Sequence, residues 1–331
     1  MPRHNLRMLC CIGLLAASGW ICDQVSAQAP LKKLRLGIAA TSVGFLPIYA
    51  AHQKGFYRDE GIDLEIILMS LAAANNAFFK GEIEYSAGLT GLALAATRNY
   101  PAKILIFTIA KPLQSLVSRK EIKEPRDLKG KKVAGSSPGG SATILAYQAL
   151  KHFGLEPGKD VQVLPMGGSG AGRLAVLEQG VVDAALLSVP ENIIAVNKGY
   201  NELIFLGDVV SFPQNGFGTS VTRIQQQPDE VYRMVRATLR GLLFVTDDAN
   251  RDQARDIMMK QWRVSDHKLA GEMLGFLKRG LAKDAVISPQ AVQYFVDLTR
   301  ETSNVTQPIP GAQVVDFSFL DRARSELRGA R

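Results

Sequence analysis

One stretch, residues 54–66, constrains the fold more than any other part of this sequence. Gly55 can adopt the left-handed backbone that ends a helix, and Gly61 permits a second tight turn. Apolar residues then alternate with carboxylates over 62–66, which is typical of a half-buried strand. Together with the strand pattern at 34–38, the stretch predicts two parallel strands joined by a crossover helix, the usual beginning of an α/β domain.

The same order of strand, loop and helix continues along the chain and then restarts. The chain has 331 residues, enough for two domains of about 100–200 residues each. A charged segment at 118–128 separates the first series of strands from a second that begins at residue 131. From residue 228 onward the pattern is helical. We therefore predict an α/β fold with two mostly parallel sheets flanked by helices, followed by a helical C-terminal region.

The first residues differ from the rest. Arg3 and Arg7 precede an apolar run at 8–21, and residues 25–27 form a small-x-small cleavage site. This pattern predicts a signal peptide over residues 1–27, cleaved after Ala27, and export to the periplasm. A buried first helix is the alternative, and the apolar run is too short for a membrane anchor. Lipidation at a cysteine is disfavoured because bulky Trp and Ile precede it.

Cysteine usage and charge exclude several functions. All three cysteines lie inside the predicted signal peptide, so the mature chain would have no disulfide, thiolate metal site or cysteine nucleophile. The net charge is +8, which favours anionic partners in general. The basic residues are dispersed and form no stripe with aromatic side chains, so we expect no nucleic-acid partner.

The strongest local signal for a site is the loop at 135–143. Its glycines allow close approach of a ligand, its Ser and Thr residues supply hydroxyls, and the helix that follows presents free N–H groups. These features favour an anion site, although a plain loop with a serine cap would look the same. No Gly-Lys-Ser/Thr follows, so it is not a phosphate P-loop. A second glycine-rich loop at 167–172 has poor spacing for a dinucleotide and is better interpreted as a flexible loop before a helix.

The sequence gives little support to catalysis. No Gly-x-Ser-x-Gly elbow surrounds a loop serine, and no His-Glu-x-x-His or other metal-ligand spacing occurs. The mature chain has three histidines, His52, His152 and His267. The first two fall late in amphipathic helices, where a solvated histidine is the ordinary outcome. We predict no enzyme, no metal and no cofactor.

Five phrases, in order, resemble one family of proteins. They are residues 54–65, 81–86, 127–134, 177–185 and 315–320, and the resemblance covers about residues 34–325. The chain resembles the substrate-binding proteins of ABC importers for sulfonates, nitrate and taurine, a group similar to the pyrimidine-precursor enzymes of thiamine synthesis. Three departures matter. Glu84 stands where Asp is usual. After the strand that ends at Leu187 the family often has a Trp before the Pro, where Ser188-Val189-Pro190 stands here. The cysteine-rich motif of those enzymes is absent.

The resemblance implies a two-lobed type II periplasmic binding fold with the ligand in the cleft between the lobes. Lobe 1 would comprise residues 34–117 and 222–325, and lobe 2 residues 118–221. The family's ligand contacts come from loops after strands. Carried to this sequence, the ligand-binding residues are Ser42, Gly44, Phe45, Met69, Ser70, Gly88, Thr90, Ser137, Gly140, Ser141, Ala142, Ser188, Glu191 and Asn215.

The function implied is that of a monomeric periplasmic solute-binding protein. It would capture a small organic ligand by hinge closure and deliver it to an ABC permease in the inner membrane. The helix start at Ser141 favours an anion such as a sulfonate or carboxylate, although the sequence places no arginine to pair with it. The smaller Ser188 suggests a different or larger ligand. Two alternatives remain open: a sensory receptor that presents ligand to a membrane kinase, and an enzyme of the thiamine-pyrimidine-precursor type on the same fold.

Overall fold

The computed structural model describes residues 30–39, 42–95, 100–166 and 169–329. The predicted signal peptide, residues 1–27, lies outside the described residues. Leu31–Arg331 form one compact unit. Among the described residues, no helix is both long enough and apolar enough to cross a membrane.

The described residues form ten strands. They are β1 (Lys32–Ile38), β2 (Ile62–Leu68), β3 (Tyr85–Ser86), β4 (Ala102–Ile109), β5 (Gln114–Ser118), β6 (Lys132–Gly135), β7 (Gln162–Pro165), β8 (Ala184–Ser188), β9 (Asn201–Phe205) and β10 (Gln214–Ser220).

The helices flank these strands and make up most of the C-terminal part. They are α1 (Leu46–Gln53), α2 (Phe56–Asp59), α3 (Leu71–Phe79), α4 (Leu89–Ala93), α5 (Ser141–His152), α6 (Gly170–Glu178), α7 (Glu191–Asn197), α8 (Val221–Gln226), α9 (Pro228–Thr246), α10 (Arg251–Trp262), α11 (His267–Gly280), α12 (Pro289–Thr302), α13 (Gly311–Val314) and α14 (Ser318–Gly329).

Within the described part of the chain, the strands form two sheets of five with matching topology. The first sheet has the order β2-β1-β3-β10-β4, and the second has the order β7-β6-β8-β5-β9. In each sheet the first three strands are parallel. The strand in fourth position is antiparallel to both neighbours: β10 in the first sheet and β5 in the second. These two strands are exchanged, because each follows a connection from the other sheet.

The two connections between the sheets are paired with each other at both ends. One connection leads from β4 to β5, and the other returns from β9 to β10. At one end Ile109 pairs with Gln214, and at the other end Ser115 pairs with Phe205, in antiparallel register. The two sheets are therefore joined by a pair of segments that lie side by side.

The stretch at 54–66 folds as predicted. Gly55 has a φ of 78° and Gly61 a φ of 74°, so both adopt the left-handed backbone that their turns require. β2 then pairs in parallel with β1 along its whole length. Tyr57 is fully buried, and its hydroxyl lies 2.7 Å from Thr238 Oγ1 on α9. The stretch thereby fastens the first crossover to the long helix of the C-terminal region.

Helix α12 contributes to the core beneath both sheets. The ring of Phe295 on α12 lies 5.6 Å from that of Phe107 on β4 and 5.1 Å from that of Phe212, just before β10. The same hydrophobic cluster includes Leu92 of α4 beside the first sheet and Leu145 of α5 beside the second. Apolar packing is thus continuous from one sheet to the other.

The predicted fold class is confirmed, but five elements were missed. Strand β5 and the short helices α2, α7, α8 and α13 were not predicted. The lobe boundaries stay a prediction, but the sheets divide the chain differently from them: β5 (Gln114–Ser118) belongs to the second sheet and β10 (Gln214–Ser220) to the first. The physical reason is the strand exchange, which a linear division of the sequence does not represent. Glu84, the departure from the family phrase, pairs with Arg35 Nη2 at 3.0 Å.

Candidate functional site

A cavity of about 540 Å³ lies where the carboxyl ends of the parallel strands of both sheets meet. It is lined by residues that follow β1, β2 and β3 of the first sheet, and by residues that follow β6 and β8 of the second. The carboxyl edge of parallel strands is where open α/β sheets bind ligands, because loops and helix N-termini gather there. This cavity is therefore the candidate ligand site.

Thirteen of the fourteen residues predicted from the sequence line this cavity. They are Ser42, Phe45, Met69, Ser70, Gly88, Thr90, Ser137, Gly140, Ser141, Ala142, Ser188, Glu191 and Asn215. That these residues contact a ligand stays a prediction, but the fold does bring them together from separate loops.

Gly44 is the exception, because it is covered by Asn215. A Cβ atom added at Gly44 would clash with Asn215 Oδ1 and lie 3.1 Å from Ile109 Cγ1. Asn215 itself has a φ of 49°, a left-handed conformation that is uncommon for a residue other than glycine. Gly44 therefore makes room for the Asn215 side chain, and Asn215 is the residue of this pair that faces the cavity.

The first wall of the cavity comes from the first sheet and carries no charged side chain. It consists of Ala39, Ser42, Phe45, Leu68, Met69, Ser70, Leu71, Ala72, Ala87, Gly88, Leu89 and Thr90. Two of its hydroxyls already accept hydrogen bonds from the backbone: Ser42 from Gly44 N at 3.2 Å and Ser70 from Ala73 N at 3.2 Å. This wall mainly offers apolar surface.

The second wall comes from the second sheet and is polar. It consists of Ser136, Ser137, Gly140, Ser141, Ala142, Ser169, Gly170, Arg173, Ser188, Val189 and Glu191. Thr143 Oγ1 donates to the carbonyls of Ser136 and Ser137, both at 3.1 Å, which fixes the loop before α5. Gly140 occupies the N-cap of α5 without a capping side chain, and Gly140, Ser141 and Ala142 at this helix start line the cavity.

Arg173 is a cavity residue that the sequence analysis missed. It is only 4% exposed, and its Nε donates to the carbonyl of Leu186 on β8 at 2.7 Å. Burial lowers the pKa of Arg173, and the negative charge of Glu191 partly offsets that shift. An arginine stays protonated in any such site, so Arg173 contributes a positive charge to the cavity wall.

Glu191 lies against the start of α6, close to this arginine. A Cβ added at Gly170 would lie 2.5 Å from Glu191 Oε2, so glycine leaves the room that the carboxylate occupies. Burial raises the pKa of Glu191, and the charge of Arg173 acts against that rise. The two charged residues of the second wall therefore have opposite signs.

The floor of the cavity consists of Gln114, Phe212, Pro213, Gln214, Asn215 and Phe295. All except Asn215 were missed. Gln114 begins an unpredicted strand, and Phe295 lies on a helix far away in the sequence. Both glutamines are more than nine-tenths buried. Gln114 and Gln214 begin the two exchanged strands, and the strand exchange is not visible in the sequence.

The described residues contain no group of three or more His, Cys, Asp or Glu side chains that could hold a metal ion. The polar and aromatic groups that the cavity offers are hydroxyls, carboxamides, one buried arginine, one half-buried carboxylate and aromatic rings. This arrangement can surround an organic molecule and pair with its polar groups.

Several known proteins are similar to this chain in sequence or in fold. The riboflavin-binding protein RibY of Chloroflexus aurantiacus is 26% identical over 249 residues, covering 71% of this chain and 68% of RibY. The periplasmic sulfonate-binding protein SsuA of Methylobacillus flagellatus shares the fold with a TM-score of 0.70 and 18% identity, covering 90% of this chain and 95% of SsuA. The desulfurization enzyme DszB does so with a TM-score of 0.65 and 17% identity, covering 91% and 100%.

The solved structures confirm the two-lobed periplasmic-binding-protein fold. The family description "NMT1/THI5 like" matches residues 42–251, more than half of the sequence. The resemblance on which the sequence predictions rested is therefore confirmed, and the chain belongs to the NMT1/THI5-like family.

Proposed function

We propose that this chain is an exported solute-binding protein that captures a small organic molecule for an ABC permease. The observation that carries the proposal is the cavity of about 540 Å³, whose two walls come from two different sheets. A ligand placed there contacts both walls at once. Export rests on the predicted signal peptide, and the permease partner is proposed from the family.

Capture is proposed to occur by closure of the two lobes about the paired connections. Only the closed arrangement lets a ligand touch the first wall, the second wall and the floor together. The difference in affinity between the closed and open forms then shifts the population toward the closed form. A permease that recognises the closed form would be engaged only when the solute is bound.

The ligand proposed first is an organic anion, such as a sulfonate or carboxylate. The N-terminus of α5 and the hydroxyls of Ser137 and Ser141 support it, since free N–H groups and a positive helix end attract negative charge. Arg173 adds a positive charge that the sequence analysis did not anticipate, and Glu191 opposes it.

A larger heteroaromatic ligand is the second candidate. The rings of Phe45, Phe212 and Phe295 and the side chains of Leu68 and Met69 line the cavity. Aromatic and apolar surface of this kind binds planar ring systems. The relative RibY is named for binding riboflavin, which is such a molecule.

An enzyme or a sensory receptor on the same fold remains the alternative to transport. One protein of similar fold is an enzyme, so the fold does not decide between binding and catalysis. Steady conversion of a bound compound by the purified protein would favour an enzyme. A gene for a histidine kinase beside this one, in place of permease and ATPase genes, would favour sensing.

A thermal-shift screen tests the proposal directly. The mature protein is mixed with sulfonates, carboxylates, nitrate, pyrimidines and riboflavin, and calorimetry measures the affinity of each hit. A ligand that binds the folded state increases the free energy of unfolding by mass action, and Tm rises with it. At a ligand concentration a hundred times Kd, the gain in stability is about 2.7 kcal/mol. If no compound raises Tm, the proposed function fails for these solute classes.

A pair of serine variants connects any hit to the cavity. Ser141→Leu fills the start of α5 and is expected to weaken binding at least about tenfold, since the free N–H groups become inaccessible. Ser325→Leu is the matched control, because Ser325 is exposed on α14. Equal affinity of wild type and Ser141→Leu would contradict the site assignment.

A further inference from the structure

Both exchanged strands begin with a glutamine. β5 begins at Gln114 and β10 begins at Gln214. Each strand occupies the fourth position of its sheet and is antiparallel to both neighbours. The two residues are therefore equivalent positions in the two sheets, one at each end of the paired connections.

Both glutamines are buried, and both line the cavity. Their residues are 6% and 7% exposed. Among the described residues, Gln114 Oε1 has no hydrogen-bond donor and Gln214 Nε2 has no acceptor. Ser136 Oγ on the second wall is also buried without a partner. Buried polar atoms without partners are rare in folded proteins and destabilise the state that contains them.

We propose that Gln114 and Gln214 are specificity residues of the cavity, and that the natural ligand carries both a hydrogen-bond donor and an acceptor to pair with them. This inference rests on the proposed solute-binding function. A donor on the ligand pairs with the Gln114 carbonyl, and an acceptor on the ligand pairs with the Gln214 amide. Rotation about the terminal bonds of each glutamine turns its carboxamide toward the cavity that the residue already lines.

The need for both a donor and an acceptor on the ligand favours the second candidate, a heteroaromatic molecule, over the sulfonates proposed first. An ion with oxygen acceptors alone, such as an alkanesulfonate or nitrate, can accept from Gln214 but leaves Gln114 Oε1 without a donor. Its negative oxygens would also be repelled by that carbonyl. A molecule with amide, imide or hydroxyl groups on an aromatic ring satisfies both ends. Flavins and pyrimidine-diones have this chemistry, and the apolar first wall suits their rings.

Two leucine variants test whether the unpaired polar atoms of the glutamines destabilise the ligand-free protein. Gln114→Leu and Gln214→Leu keep much of the side-chain volume and remove the buried polar atoms. Each is expected to raise the Tm of the ligand-free protein by about 2 °C, because an unsatisfied polar group is replaced by an apolar one. Gln225→Leu is the control, since Gln225 is exposed on α8 and its replacement should leave Tm unchanged.

Titration calorimetry with riboflavin and ethanesulfonate completes the test. We expect riboflavin to bind the wild type and each leucine variant to weaken it about tenfold or more, with Gln225→Leu unchanged. Ethanesulfonate binding with equal affinity to wild type and both variants would overturn the inference and leave the proposed function intact. A lower Tm in both ligand-free variants would also overturn it, because the glutamines would then have partners. A wild type that binds neither probe counts against the proposed function, and the inference falls with it.

Discussion

The two sheets share one topology but keep their buried charge at opposite ends. Beside the first sheet, Glu230 on α9 is 1% exposed and pairs with Lys32 at 2.6 Å and with Arg223 at 2.6 Å. Lys32 is the first residue of β1, so this cluster lies at the end of the strands away from the cavity. Beside the second sheet, Arg173 on α6 and Glu191 on α7 lie in the cavity wall itself.

The charged cluster beside the first sheet therefore contributes to stability, and the charged pair beside the second sheet lies where a ligand would be recognised. The first lobe places its charges where they hold the C-terminal helix α9 to the sheet, and presents an uncharged wall to the ligand. The second lobe places its charges where a ligand arrives. Buried charges are tolerated only when they are compensated by a partner. Removal of one partner should therefore lower the stability of the protein, by a different amount in each cluster.

The largest expected effect is at Arg173. Arg173→Met removes the buried guanidinium, its bond to the Leu186 carbonyl and the charge that faces Glu191. Stability should fall by about 3 kcal/mol, since the half-buried carboxylate of Glu191 loses its compensating charge. Urea denaturation measures the change. The double variant Arg173→Met with Glu191→Gln should recover part of the loss; no difference between single and double variants would show that the two charges are not coupled.

Glu230 should give a smaller loss with a distinctive pH dependence. Burial acts to raise the pKa of Glu230, but the bonds from Lys32 and Arg223 outweigh it and hold the pKa below 4.5. A lowered pKa stabilises the fold above pH 4.5, and that contribution disappears as the pH falls through the folded-state pKa. Glu230→Gln should cost about 2 kcal/mol at pH 7.

Denaturation midpoints measured from pH 7 to pH 3 check this prediction. The wild type should lose its advantage over Glu230→Gln below about pH 4.5. A gap between the two proteins that stays constant over the whole range would contradict it. Ligand affinity at pH 7 should be unchanged, because this cluster lies away from the cavity.

A matched pair of glycines compares the two walls. A Cβ at Gly140 would clash with Ser136 Oγ and lie 3.0 Å from the backbone carbonyl of Ser137. A Cβ at Gly88 would meet only side chains, with Asn75 Oδ1 nearest at 3.0 Å. Gly140→Val should therefore weaken binding of a screened ligand about tenfold, a loss of about 1.4 kcal/mol, and Gly88→Val should weaken it less. Calorimetry that found the reverse order would show that the first wall dominates recognition.

The smallest effect is expected at the surface contact between α5 and α12. Lys151 Nζ lies 2.5 Å from Glu301 Oε1, but both side chains are substantially exposed. Lys151→Ala should change stability by less than about 0.5 kcal/mol, as is usual for exposed ion pairs. A loss above 1 kcal/mol in urea denaturation, roughly the upper bound for such pairs, would mean that this contact helps to hold the second lobe to α12.

Local signals were enough to predict much of the scaffold. Gly55 and Gly61 indicated turns because their backbone conformations are intrinsic to glycine, and the structure shows both. Residues that follow strands, such as Ser42, Ser70 and Ser141, were predicted as ligand contacts from the family resemblance, and they line the cavity because parallel strands gather their carboxyl ends at one edge. The turns need only neighbouring residues, whereas the site residues needed the family pattern.

The residues that were missed depend on pairing between distant parts of the chain. Gln114 lies on β5, a short strand of mixed polarity that is stable because β8 and β9 pair with it on both sides. Arg173 lies near the start of α6, and its Nε donates across to the Leu186 carbonyl on β8. Phe295 reaches the cavity from α12, 83 residues after Phe212, whose ring it contacts. No local pattern encodes such contacts.

The Asn215 side chain occupies the space beside Gly44, and this contact limits how the site can change during evolution. Asn215 holds a left-handed backbone, which costs about 1–3 kcal/mol unless its surroundings compensate. Its side chain fits only because position 44 has no Cβ. A larger residue at 44 would have to be accompanied by a smaller one at 215, and a change at 215 would free space at 44. The two positions should therefore be substituted together, so that a new ligand preference at this corner arises by a paired exchange.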